Sequence, residues 1–115
     1  MNKIRLVINN EPKKNDREKF FIKKELQSIL NLYAKMVSNG SWKDYSFTSG
    51  IKEVSFDIYQ RASEKPVLRI LKNLKPKYFN EKYLIKDKNG AILKKSENLN
   101  QLISKTSWNK LKLVK

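Results

Sequence analysis

The sequence predicts an α+β domain in which a long N-terminal amphipathic helix packs on a four-stranded antiparallel sheet, with a short C-terminal helix beside it. Three observations carry this. Apolar residues from Phe21 to Val37 recur at steps of three and four, the spacing of one helix face. From Val54 to Leu71 the spacing changes to two, the period of a strand with one buried face. Asn39-Gly40 and Asn89-Gly90 place glycine where a helix stop and a hairpin turn require positive φ.

In chain order, Ile4, Leu6 and Ile8 alternate with polar or basic residues, interrupted by Val7. Residues 1–16 therefore read as a basic arm or short strand, with Pro12 in a loop. A helix is expected over residues 17–38, capped by Asn15 or Asp16. Its stripe is Phe21 or Ile22, Leu26, Ile29, Leu30, Tyr33 and Val37. Residues 41–50 read as a turn rich in serine and aromatics. Val54, Phe56 and Ile58 form one face of the first strand, and Leu68 and Ile70 continue that face on the next, making an antiparallel hairpin across the loop 61–66. A basic, irregular stretch containing Pro76 leads to strands at 83–86 and 91–94, joined by the turn 87–90. Ser96 is the expected cap of a short helix holding Leu99, Leu102 and Ile103. Residues 17–104 make one domain and residues 105–115 a basic tail.

A chain of 115 residues suits a single core. Its net charge of +15, from 26 basic and 11 acidic residues, attracts polyanions: nucleic acid, acidic proteins, anionic lipid. Against a selected ligand stands the composition of the charge. Arg5, Arg17, Arg61 and Arg69 are the only arginines, and lysine excess also follows from compositional drift. Cysteine and histidine are both absent. That excludes disulfides, thiolate or imidazole metal ligation, and Cys–His or Ser–His–Asp catalysis. No cofactor or metal is expected. The N-terminal apolar run is too short for a signal peptide, and no stretch approaches a membrane span, so a cytoplasmic location is expected.

Three stretches carry a resemblance: Phe21–Leu26; Leu32–Tyr45, with Asn39-Gly40-Ser41-Trp42-Lys43-Asp44-Tyr45; and Arg61-Ala62-Ser63-Glu64-Lys65-Pro66, followed by Arg69-Ile70 and Asn89-Gly90. Over Phe21–Leu102 the chain resembles a family of small bacterial proteins classed as a domain of unknown function. The resemblance implies one compact domain behind a less ordered arm, and no activity. The chain differs in using lysine at positions where that family uses arginine, and in its basic tail.

Two groups of residues are candidate binding sites. Between residues 61 and 95, eleven bases face three acids. Arg61, Lys65, Arg69, Lys72, Lys75, Lys77, Lys82 and Lys86 are candidate phosphate contacts, with Tyr78 and Phe79 as stacking groups for single-stranded nucleic acid. In the competing reading the two aromatics anchor the core and the lysines form a solvated rim. The second group is Trp42, Asp44 and Tyr45 with Arg61 and Glu64, loop residues suited to an acidic protein partner, with Arg61 pairing Asp44 or Glu64. There the competing reading makes Trp42 and Tyr45 fasten the helix to the sheet. Asp44, Asp57, Glu53 and Glu64 are too scattered for two-carboxylate or two-metal chemistry. The expectation is a non-enzymatic nucleic-acid-binding module, with a protein-interaction adaptor as the alternative. Membrane association ranks third, because no exposed apolar face is evident.

Overall fold

The computed structural model describes residues 19–61 and 65–108. The arm 1–16, Glu64 and the tail beyond Trp108 lie outside the described residues. Helix α1 spans Lys23–Ser38, strands β1 to β5 span Asp44–Ser49, Glu53–Tyr59, Leu68–Asn73, Tyr83–Asp87 and Ile92–Ser96, and helix α2 spans Leu99–Lys105. A 3-10 turn, Phe79–Glu81, precedes β4. The five strands lie in chain order, each antiparallel to the next.

The sheet therefore has five strands where four were expected, because the stretch expected as a turn contains β1. Its alternation is visible in retrospect. Tyr45 and Phe47 share the face of Ile58 and Phe56, their partners in register, while Ser46 and Thr48 fall opposite Asp57 and Ser55. The aromatic and threonine side chains favour extended backbone, but an edge strand with little burial lacks the apolar run that marks a central one.

Helix α1 begins at Lys23, not Arg17, behind an extended Ile22 (φ −83°, ψ 168°). The Ile22 N–H donates to Glu25 Oε1 at 2.8 Å, which satisfies one orphan amide at the helix start. The buried stripe is Glu25, Ile29, Leu32 and Met36, while Ile22, Leu30 and Val37 remain substantially exposed. Phe21 and Ile29 of the expected stripe are in the core and Leu26 and Tyr33 pack against it, but the buried face is centred nearer Glu25, Leu32 and Met36. The shift follows from Glu25, whose charge argued for solvent but which meets a buried cation. At the other end Gly40 takes φ 84°, and the Ser41 N–H reaches Met36 O at 2.9 Å.

Alternation and register divide the sheet into two faces. The helix-facing one carries Val54, Phe56, Ile58, Leu68, Ile70, Tyr83 and Ile85, which join Ile29, Leu32, Met36, Trp42, Leu99 and Leu102 in the core. Its second face carries Ser55, Asp57, Arg69, Leu71, Leu84 and Lys86. Between β4 and β5 the register shifts, so that Ile85 and Lys86 oppose Lys94 and Ile92 and the extra residue, Leu93, packs toward the core. Gly90 turns the hairpin at φ 87°, while Asp87 Oδ1 accepts from the Asn89 and Ala91 amides at 2.9 Å each.

Asn98, not Ser96, caps α2 by accepting from the Gln101 N–H at 2.9 Å, and the Ser96 hydroxyl instead accepts from the Asn98 amide at 3.0 Å. Packing continues past residue 104. Thr106 is buried, and the Trp108 ring meets Trp42 edge-on at 5.7 Å while its Nε1–H donates to Ile103 O at 3.0 Å. Among the described residues, no helix is long and apolar enough to cross a membrane.

Candidate functional site

The second sheet face holds a polar row at its centre. Register aligns Ser46, Asp57, Arg69 and Lys86 side by side across β1 to β4. Asp57 is nearly fully buried, and its carboxylate is saturated: Thr48 Oγ1 donates to it at 2.6 Å, Ser55 Oγ at 2.7 Å and Arg69 Nε at 2.9 Å. Arg69 Nη2 also donates to Ser55 Oγ at 2.9 Å. The guanidinium is therefore fixed along one edge. Its remaining N–H donors meet no acceptor among the described residues, and about 30% of the side chain stays exposed.

Beside this row lies a cleft of about 380 Å³, lined by Thr48, Asp57, Tyr59, Lys65, Pro66, Arg69 and Lys88. The Tyr59 hydroxyl is held by Ser46 Oγ at 3.1 Å. Pro66 leads into β3 and the β4–β5 turn carries Lys88, so the two loops at this end of the sheet bring two lysines to one arginine. Lys65 and Lys88 are exposed, and neither they nor Lys86 has an acidic partner among the described residues. Lys86 stands directly opposite Arg69, an arrangement of like charges that disfavours the fold. Asp57 offsets it, and a bound anion would offset it further. The Asp87 carboxylate, at the same end, is engaged by the turn amides.

The ten residues expected to bind nucleic acid do not form one surface. Arg69 and Lys65 line the cleft, Lys86 stands beside Arg69 on β4, and Arg61 is exposed on the β2–β3 loop at the same end. Lys75, Lys77, Tyr78, Phe79 and Lys82 lie at the opposite end, beyond the length of β3, roughly 17 Å away at ~3.3 Å per residue. Lys72 cannot contact a phosphate. It is fully buried on the helix-facing side, donating to Glu25 Oε1 at 2.8 Å and to Phe20 O at 3.0 Å. The Tyr83 hydroxyl hydrogen-bonds the other oxygen of Glu25. Tyr78 and Phe79 are exposed, which removes the reading that made them core anchors.

The expected partner-binding group also disperses. Trp42 is buried among Tyr33, Trp108 and the sheet, with ring contacts at 6.2 and 5.7 Å, so its role is packing. Tyr45 stacks on Phe56 at 5.1 Å and meets Tyr33 edge-on at 4.8 Å. Asp44 Oδ1 accepts from the Tyr45 N–H at 2.8 Å. Burial raises the Tyr33 hydroxyl above its usual pKa of 10.0, with Asp44 and then Tyr45 adding to the effect. These contacts fasten α1 to β1 and β2.

Sequence reasoning counted Lys88 in the basic segment 61–95 but missed the hydroxyls of Thr48 and Tyr59 as parts of the cleft, and that of Ser55 as a support for Arg69. The alternation in β2 placed Ser55, Asp57 and Tyr59 on one face, but the partners that collect there come from other strands. Among the described residues, no group of three or more His, Cys, Asp or Glu is placed to hold a metal ion.

A family model described as Protein of unknown function (DUF2794) matches residues 19–103. No curated protein and no solved structure matches the chain.

Proposed function

The chain belongs to that family, whose description names no activity, and from its cleft we propose that the protein is a non-enzymatic nucleic-acid-binding module. One observation carries this reading. Arg69 is immobilised by Asp57 and Ser55 while its free edge, Lys65 and Lys88 converge on one cleft, with Lys86 on the neighbouring strand opposite Arg69. A guanidinium held in place loses little freedom when it pairs with a phosphate, and its planar fork suits two oxygens of one group. The lysines add point charges without geometric demand, and the Thr48 and Tyr59 hydroxyls suit sugar or phosphate oxygens. Such contacts hold a backbone without reading sequence. A cleft of about 380 Å³ accommodates a nucleotide unit but not a duplex, which favours single strands.

The test is fluorescence anisotropy of labelled single- and double-stranded RNA and DNA at several salt concentrations. Each phosphate contact on a single strand contributes ~0.7 to the slope of log affinity against log salt, so Lys65→Ala with Lys88→Ala lowers the slope by ~1.4. Lys24→Ala with Lys35→Ala, on the exposed side of α1, leaves it unchanged. Equal effects of the two pairs would mean that only net charge is sensed, and the cleft would lose its role.

A further inference from the structure

The end of the sheet opposite the cleft exposes apolar side chains that the fold does not use. Two connections meet there, the β1–β2 turn at 50–52 and the β3–β4 connection at 74–82. The Leu74 N–H donates to Lys52 O at 2.8 Å, which ties one to the other. The most exposed large apolar side chains among the described residues are Ile51 (86%), Phe79 (79%) and Tyr78 (57%), and all three sit on these connections. Single exposed hydrophobics are ordinary on protein surfaces, but three at one tip are a feature to explain. Backbone requirements do not explain them. The β1–β2 turn is closed by the Gly50 N–H to Glu53 O at 2.9 Å, and the 3-10 turn by the Glu81 N–H to Tyr78 O at 2.9 Å, bonds that any side chain permits.

The same connections carry Lys52, Lys75 and Lys77, all exposed and without an acidic partner among the described residues. Lys77 lies 6.0 Å from the Tyr78 ring centre. Of the two acids nearby, Glu81 is engaged by Lys95 at 3.6 Å. We propose that this tip docks on an anionic lipid bilayer. Ile51, Phe79 and Tyr78 would enter the headgroup region, and the lysines would meet lipid phosphates. The chemistry favours lipid over nucleic acid here. Ile51 has no π face on which a base can stack, and it is the most exposed of the three. Tyrosine suits the interface between headgroups and water, and lysines beside apolar side chains attract anionic lipid. The tip is the end of two turns rather than a groove that tracks a strand. The inference is independent of the cleft, since the two sites share no residue.

The experiment is co-sedimentation with vesicles of phosphatidylcholine alone and of phosphatidylcholine with 30% phosphatidylserine. Wild-type protein is expected to bind the anionic vesicles only. Ile51→Ser with Phe79→Ser is expected to weaken binding at least tenfold, with unchanged circular dichroism because both positions are solvent-exposed. Lys75→Glu with Lys77→Glu, which leaves the apolar tip intact, is expected to abolish it. Absence of wild-type binding to anionic vesicles overturns the proposal, as does binding that survives the serine substitutions. If the serine variant keeps vesicle binding but loses affinity for single-stranded oligonucleotides, the tip is a base-stacking platform and the lipid reading fails. A loss of oligonucleotide binding confined to the Lys65→Ala, Lys88→Ala variant bears on the cleft alone.

Discussion

Lys72→Met is the most informative single substitution, because sequence and structure assign this lysine opposite roles. In the structure its ammonium is fully buried, 2.8 Å from Glu25 Oε1 and 3.0 Å from Phe20 O. Methionine has similar volume and no charge. The substitution therefore leaves Glu25 buried without its cation and Phe20 O without that donor. Removing one partner of a buried ion pair destabilises by ~3–5 kcal/mol. For a domain of this size each kcal/mol lowers Tm by ~4 °C, so a fall of ~12–20 °C is expected. Replacing both charges, as in Glu25→Gln with Lys72→Met, removes the uncompensated carboxylate. Neutral replacements of buried pairs are often close to neutral, so the double variant is expected to be more stable than Lys72→Met alone. The coupling in the cycle should exceed ~2 kcal/mol, where independent sites add to within ~0.5. Guanidinium titration followed by circular dichroism at neutral pH measures all four proteins. A Lys72→Met variant within ~1 kcal/mol of wild type, with weakened oligonucleotide binding, would refute the buried pair and return Lys72 to the surface as a phosphate contact.

Two further predictions follow from the packing around α1. Tyr33 has its pKa raised in the fold, so the neutral phenol is the form that folding favours. Its contribution is fully present below pH ~10 and is lost as pH rises through the folded value. Tyr33→Phe, which keeps the ring, should show a smaller fall in guanidinium midpoint between pH 9 and pH 11 than wild type; an equal fall would contradict the assignment. Trp108→Ala removes the ring that packs edge-on against Trp42. Full truncation of a core tryptophan costs ~3–5 kcal/mol, and for this half-buried one ~2 kcal/mol is expected, a Tm decrease of ~8 °C. Thermal melts decide it, and an unchanged Tm would show that the domain ends before Trp108.

Much of the fold was legible because it follows local rules. The helix body, its glycine stop, the β2–β3 hairpin and the Asn89-Gly90 turn each rest on residues near one another in the chain. What was missed depends on partners far away in sequence. Glu25 and Lys72 look solvated when read separately, and only the packing of α1 on β3 places each inside; with Glu25 the centre of the helix face was displaced, though Phe21, Leu26, Ile29 and Tyr33 pack as expected. β1 was read as a turn because its aromatics are spaced by serines and its burial is slight. Ser96 looked like a cap because it precedes the helix, yet Asn98 is nearer and accepts the amide. The family resemblance reached the right neighbourhood, but a domain without an assigned function brings no site with it.

Charge composition was the strongest signal in the sequence and the least able to locate a site. The net charge of +15 contains cations in three physical situations. Lys72 is closed in protein with Glu25, and its charge never reaches solvent or ligand. Arg69 is half closed: Asp57 neutralises one edge and leaves the other aimed outward, so the pair holds the guanidinium in place without cancelling its use. Lys75 and Lys77 are open, with no carboxylate partner among the described residues, and Lys77 stands beside the exposed Tyr78 ring. A buried pair serves the fold, an immobilised but open cation serves recognition of a discrete anion, and free cations next to apolar side chains suit an extended anionic surface. The same residue type, in numbers that the sequence reports as one total, thus divides into scaffold, cleft and tip by what each lysine or arginine meets across the sheet. This is why lysine-to-alanine variants should be chosen by face and end of the sheet: equal changes in net charge at Lys65 and Lys88, or at Lys75 and Lys77, are expected to affect different ligands.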